Sequence, residues 1–451
     1  MSDVQFPMQP LSALTTAIKD GTHGTHCRVA EGIPLLSAKN ITANGEIALD
    51  DFDDLISESE YLDLTRSFQL KPDDLLLTIV GSLGRRAIYS GQRITFQRSV
   101  AYIRPQPQKL RSRFLFHWMG HPAFSAEIAR RSNATAQAGL YLGELAKVSV
   151  PVPETGEQNA VAQILDTLDT AIHETEAIIA KLKAVKQGLL HDLLTRGIDA
   201  NGELRPPQAE APQLYKESAL GWIPKEWDVS GLANIALKDR SVIRTGPFGS
   251  SLKGEHWRES GRPVVTIGSL GETAFVTSEL LYIEEATAAR LAEFELIPGD
   301  IVFSRVADVG RSVVVSESER GWIMSSNFMR ISCDSAKARP QFLQMLLSSS
   351  VLVRKQLRTT VNSAGRDVAN SAVLMGLSFP WPSPLEQDDM LRRMRTLSQR
   401  LAQEQAELKK LLDCKAGLMD DLLTGRVRVT PLLEGDSTSQ TGQQLAGQMP
   451  G

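Results

Sequence analysis

The chain contains its own plan twice, and this repetition limits what it can fold into more than any other feature. Leu70-Lys71-Pro72-Asp73-Asp74-Leu75 stands against Leu296-Ile297-Pro298-Gly299-Asp300-Ile301, 226 residues later, and apolar runs lead from these to Gly84-Arg85 and Gly310-Arg311. Further on, Pro151-Val152-Pro153 answers Pro380-Trp381-Pro382 and Glu157-Gln158 answers Glu386-Gln387, both 229 apart. The match closes with Lys186-Gln187-Gly188-Leu189 and Asp192-Leu193-Leu194-Thr195, which recur as Lys415-Ala416-Gly417-Leu418 and Asp421-Leu422-Leu423-Thr424. At 451 residues the chain exceeds what one core supports, so each half should carry its own domain.

Each half changes period partway. Its first ~150 residues alternate short runs of Val, Ile, Leu, Phe and Tyr with Gly, Pro, Asn and Asp turn signals, as at residues 75–80, 87–89, 301–304 and 312–315. This predicts a mixed α+β domain with a twisted sheet. Helical spacing predicts helices near residues 113–130 and 341–357.

From residue 157 to Gly188 and from residue 385 to Gly417 no proline or glycine interrupts the chain, and a long helix is predicted in each half. In the second half Met394, Leu401, Leu408, Lys415 and Leu422 fall seven apart, interleaved with Leu397, Glu404, Leu411 and Leu418. The first half repeats the pattern as Leu165, Ile172, Ile179, Lys186 and Leu193 with Leu168, Thr175, Leu182 and Leu189. Heptads with polar residues at the same two places predict a coiled-coil seam of set register. A helix of ~40 residues spans ~60 Å. Two equivalent helices in a duplicated chain close most simply antiparallel, with pseudo-twofold symmetry, which makes a spacer between two globular domains. Such a spacer suits two half-sites on one DNA duplex, which advances about 34 Å per turn.

Net charge is −4, which argues against a chain coated in basic residues, but the charge is unevenly placed. Residues 46–74 hold ten acids and two bases, whereas residues 85–131 hold ten bases and one acid, Glu127. A phosphate-facing surface has this asymmetry, and so does a solvated face with compensating acids nearby. No apolar run approaches the ~20 residues of a membrane span. Three scattered cysteines, Cys27, Cys333 and Cys414, make no disulfide framework, so a cytoplasmic location is expected.

Signatures of catalysis are few. There is no Gly-x-x-x-x-Gly-Lys-Ser/Thr phosphate loop, no Asn/Asp-Pro-Pro-aromatic methyltransferase signature and no dinucleotide glycine fingerprint. Pro72-Asp73-Asp74 reads as a turn ahead of a strand rather than part of a nuclease, because no Glu-x-Lys follows. His23, His26 and Cys27 lack the second ligand pair of a zinc site, so no metal is expected. The matched glycine loops at residues 20–24 and 245–249 permit either close approach to a phosphate or a tight turn.

DNA contact is expected chiefly from the matched loops Gly81-Ser82-Leu83-Gly84-Arg85-Arg86 and Ala307-Asp308-Val309-Gly310-Arg311. Their arginines suit phosphates or guanine, and Ser82 and Asp308 differ as base-reading positions should when each half reads its own sequence. Lys39, Asn40, Gln97 and Arg98 in the first half, with Lys253, Ser269, Arg305, Asn327 and Arg366 in the second, are added for polarity beside apolar strands.

The duplicated domains, the Pro-x-Pro followed by Glu-Gln, the Lys-x-Gly-Leu-x-x-Asp-Leu-Leu-Thr helix ends and Gly221-Trp222-Ile223-Pro224-Lys225-Glu226-Trp227 together resemble the type I restriction-modification specificity subunit, over about residues 10–430. The resemblance implies target-recognition domains at 1–153 and 221–382, helices at 154–196 and 383–426, a linker at 197–220 and a disordered tail at 427–451. It implies a non-catalytic subunit that reads a bipartite target on double-stranded DNA. Two methyltransferase subunits and two motor-nuclease subunits are the implied partners. S-adenosylmethionine, ATP and Mg2+ belong to those partners, and this chain itself binds no cofactor. The helix ends depart from strict equivalence, Arg196-Gly197 against Gly425-Arg426. The alternative reading is a coiled-coil scaffold that binds proteins and never DNA.

Overall fold

Where the period changes, the computed structural model starts its two longest helices, Thr155–Thr195 and Pro384–Thr424, 41 residues each. It describes residues 5–50, 53–66, 69–132, 139–249, 251–306, 308–363 and 368–429. Two compact units result, one of residues 1–177 with 405–451, the other of residues 178–404. The domain boundaries drawn from sequence set the helices apart from the globular domains. The structure instead divides each helix between the units, because each half-helix buries its apolar stripe on a different domain.

In the first unit four antiparallel strands run in the order Thr15–Asp20, Val100–Pro105, Leu75–Thr78, Arg86–Ile88. A three-stranded sheet has the order Leu55–Ile56, Ile33–Leu36, Thr95–Phe96, the last pair parallel. The second unit repeats both. Its four strands are Ile243–Thr245, Phe328–Ile331, Ile301–Ser304 and Ser312–Val314, and its three are Leu281–Ile283, Arg262–Val265 and Ile323–Met324, with the last pair again parallel.

Strands 75–78 and 301–304 are buried along their whole length, and side-chain alternation explains why. Leu75 and Leu77 enter a core with Phe114, Trp118 and Leu165, while Leu76 enters another with Phe96 and Tyr102. Ile301 and Phe303 join Trp227, Phe342 and Leu193, while Val302 joins Val264 and Phe294. The turn before each strand is closed by its last acid: Asp74 accepts from Lys71 N at 2.8 Å and Asp300 from Ile297 N at 2.9 Å. Asp74 then pairs with Arg104 and Asp300 with Arg240, which commits both carboxylates to structure.

The helix expected at 113–130 is two, Ser112–Met119 and Pro122–Arg131, because Pro122 has no N–H to continue the first. That expected at 341–357 is also two, Pro340–Ser349 and Val351–Ser363, parted at Ser350.

All fourteen apolar seam residues of the long helices are buried or half-buried, among them Leu165, Ile172, Ile179, Leu193, Met394 and Leu422. Off the stripe, Ile178, Val185 and Leu412 are exposed. Each fully buried Leu or Ile contributes about 2 kcal/mol, several times the few tenths from a surface ion pair along a helix, so the apolar stripe decides the packing. The seam's polar residues are accommodated differently. Lys415 pairs with Asp169, and Thr175 donates to Ala171 O at 2.7 Å.

The Glu-Gln pair at each helix mouth has a mechanical role. Gln158 donates to Pro153 O and Lys109 O, both at 2.9 Å, and accepts from Arg111 N at 2.7 Å. Gln387 does the same with Pro382 O, Lys337 O and Arg339 N. The glutamates hold the chain leaving the other helix: Glu157 takes Arg428 at 2.8 and 2.7 Å, and Glu386 takes Arg205 Nη1 at 2.6 Å and Ile198 N at 2.8 Å. In the first unit the partners of residues 157 and 169 are 428 and 415, so the helix segments there run antiparallel. Arg428 and the buried Val429 correct the assignment of 427–429 to a disordered tail; 430–451 lie outside the described residues.

Candidate nucleic-acid interface

The loops favoured for DNA contact are tight turns with internal partners. At the end of strand 75–78, the Thr78 hydroxyl donates to Ser82 O and accepts from Arg85 N, while Gly81 and Gly84 take φ of 80° and 86°. In the second unit Ser304 donates to Val306 O at 2.8 Å and Gly310 has φ 104°. Ser82 and Asp308 stand exposed at the tips. Arg85 Nη1 reaches Ile41 O at 3.4 Å and Arg311 Nη2 reaches Ile267 O at 3.5 Å, acceptors again 226 residues apart. Both guanidinia are half-buried, and both act first as struts between strand and neighbouring loop.

Three expected contacts are corrected. Arg86 lies over the Phe116 ring at 4.7 Å and donates to Phe116 O at 2.6 Å, and burial pushes its guanidinium down to about 10. Gly120 makes that place, since a Cβ there would stand 2.1 Å from Arg86 Nη2. Asn40 is buried and saturated by Ser37 N, Ala48 O and Asp53. Ser269 is buried and closes a turn with Thr266. Polarity beside an apolar strand marked such turn-closing groups as readily as surface ones.

Other candidates group around the glycine loops. Gln97 N donates to Leu36 O and Arg98 N to Thr22 O, which sets Gln97 and exposed Arg98 beside loop 20–24; Lys39, nearby in sequence to Leu36, pairs with Asp53. In the second unit Arg305 N donates to Asn327 O, and Arg305 shares a groove with loop 245–249. Lys253 is exposed, 4.0 Å from Glu255. Arg366 lies outside the described residues. The glycine loops themselves are pressed on strands. A Cβ at Gly21 would meet Phe96 O at 2.0 Å, and one at Gly246 would meet Ser325 O at 2.0 Å.

His26 spends both ring nitrogens, on Thr22 and on Glu60, each at 2.7 Å. A different group of metal-ligand type sits in the first unit, where buried His117 faces Asp166 at 2.8 Å and Asp169 at 3.8 Å. Lys415 and Arg113 already neutralise these acids, so the cluster reads as an ion-pair network. Its one sequence signal is the i,i+3 spacing of Asp166 and Asp169 on a helix; His117 lies 49 residues from Asp166 and no local motif joins them.

This network predicts acid sensitivity. Burial holds His117 and His121 below the usual histidine range, against the raising effect of nearby Asp166 and Asp420. The unfolded chain therefore takes up more protons, and stability present above pH about 6.5 is lost as pH falls. The urea midpoint should drop between pH 7.5 and 5.5, and His117→Asn should flatten the drop; an unchanged slope in the variant would refute the assignment.

Two α+β domains of one plan, each joined to half-helices of two long helices, define an internally duplicated protein rather than two unrelated domains in sequence. Residues 27–184 match the family model described as Type I restriction modification DNA specificity domain. Over this part of its length the chain is similar to type I restriction-modification specificity subunits. It is 24% identical over 289 residues to the type I restriction enzyme MjaVIII specificity subunit of Methanocaldococcus jannaschii, a match spanning 63% of this chain and 63% of that relative. To the Escherichia coli EcoBI specificity subunit it is 21% identical over 334 residues, 74% of this chain and 68% of that one. The crystal structure of the type I restriction-modification S subunit from M. genitalium shares the fold at a TM-score of 0.56 and 14% identity, over 94% of this chain and 97% of that one.

Proposed function

We infer that this chain is the DNA-reading subunit of a type I restriction-modification complex, each domain reading one half of a bipartite target. The observation that carries this is a matched frame with unmatched tips. Both units have the same sheets, glycine-loop roots and strut arginines, yet Ser82 stands against Asp308 and Thr22-His23 against Pro247-Phe248. Equal scaffolds with different surface chemistry suit two different base sequences. The long helices set the distance between the half-sites. Two methyltransferase subunits dock on them to give an adenine methyltransferase using S-adenosylmethionine, and two ATP- and Mg2+-dependent motor-nuclease subunits add cleavage. This chain contributes recognition and no chemistry, in the cytoplasm. No helix among the described residues is long and apolar enough to cross a membrane.

Exchanging residues 1–150 for those of a relative, in a methylation-free host that also expresses the methyltransferase subunit, tests the modular reading. Sequencing of methylated adenines should show one half-site changed and the other kept. No methylation from a folded, assembled complex would favour the protein scaffold instead.

A further inference from the structure

In the second unit a groove of about 740 Å3 opens beside loop 245–249. At its mouth stands Phe248, 85% exposed, more than any other large apolar side chain among the described residues. The loop does not carry this ring loosely. Gly246 N donates to Phe328 O at 3.0 Å, and the missing Cβ lets the backbone sit against Ser325. Pro247 restrains φ, and Ser251 N closes the turn onto Phe248 O at 2.8 Å. A short, well-rooted turn thus holds an aromatic ring out in water.

The groove behind it is basic. Arg244, Arg290 and Arg305 line it against one acid, Glu293, which pairs with Arg244. Arg244 lies over the Phe294 ring at 5.4 Å, Arg290 is exposed and braced by Thr287, and Arg305 is held by Ala369 O. Cations fixed along a groove bind a polyanion, and a projecting aromatic ring beside them suits contact with a base rather than with a phosphate. The first unit places another planar ring at the same loop position: His23 follows Gly21, its side chain 64% exposed and 2.8 Å from Asp20.

We propose that loop 245–249 is the DNA-contacting tip of the second domain, Phe248 packing against a base while Arg244, Arg290 and Arg305 hold the flanking phosphates. This rests on the DNA-recognition reading above and names the residues that perform it. Phe248 is a base contact that adds affinity, and the arginines are positioning residues.

The test uses the chain assembled with its methyltransferase subunits and a duplex bearing the methylated motif, with binding followed by fluorescence anisotropy across salt concentrations. Phe248→Ala should weaken binding about tenfold with an unchanged salt slope, since a ring releases no counterions, and Phe248→Trp should recover most of the loss. Arg290→Ala should instead reduce the slope by roughly one. If the unaltered complex discriminates its motif while Phe248→Ala binds equally well, or Phe248→Trp loses as much as Phe248→Ala, this assignment is overturned and DNA recognition stands. If the unaltered complex discriminates no sequence, the recognition reading falls and this one with it.

Discussion

Replacing Glu386 with alanine is expected to destabilise the second unit by about 3 kcal/mol, the cost of leaving two buried donors without an acceptor and of taking the nearer of two carboxylates from a buried guanidinium. The carboxylate is 10% exposed and its partner Arg205 only 7%. It also accepts from Ile198 N at 2.8 Å and from Trp227 Nε1 at 3.1 Å. Alanine strands Ile198 N and Trp227 Nε1, and leaves the buried Arg205 with Arg196 O at 3.1 Å and the exposed Glu226 at 3.5 Å. The corresponding Glu157→Ala should cost only about 1–2 kcal/mol, because Arg428 is 52% exposed and turns out into solvent when its partner goes. Urea unfolding of both variants gives the comparison. Equal losses would mean that helix-end geometry, and not the buried charge, sets the cost.

Gly246→Ala should cost about 3 kcal/mol, from overpacking plus the weakened bond between Gly246 N and Phe328 O. The reason is contact with backbone: a Cβ 2.0 Å from Ser325 O cannot be relieved by turning a side chain, so loop and strand must part. Gly249, three residues on, has open space around it and no left-handed φ, and Gly249→Ala should leave stability unchanged or raise it by a few tenths of a kcal/mol. Urea midpoints of the two variants decide it. A neutral Gly246→Ala would mean the loop root is not pressed on the strand, and the rigidity argued for Phe248 would fall with it.

Much of the plan was legible because repetition is a property of sequence alone. The offset of 226 at Asp74 and Asp300, and of 229 at Gln158 and Gln387, reports equivalent backbone jobs, and each pair performs the same one. The long helices were legible for a similar reason, since heptad spacing is local. Individual DNA contacts were not. A polar residue in an apolar stretch has the same sequence signature whether it faces water or closes a turn, and Asn40, Arg86 and Ser269 close theirs. Phe248 went unmarked as a contact because an aromatic residue in sequence is presumed buried until its surroundings are known.

Duplication, an α+β domain ending in a long helix in each half, and the apolar stripe of each helix all follow from local residue patterns. Tertiary structure alone decided how each helix is shared between the two units, and which charges are spent. Glu157 and Arg428 are 271 residues apart, and Glu386 and Arg205 are 181 apart. No local pattern joins them, because burial and pairing depend on which surfaces the fold brings together.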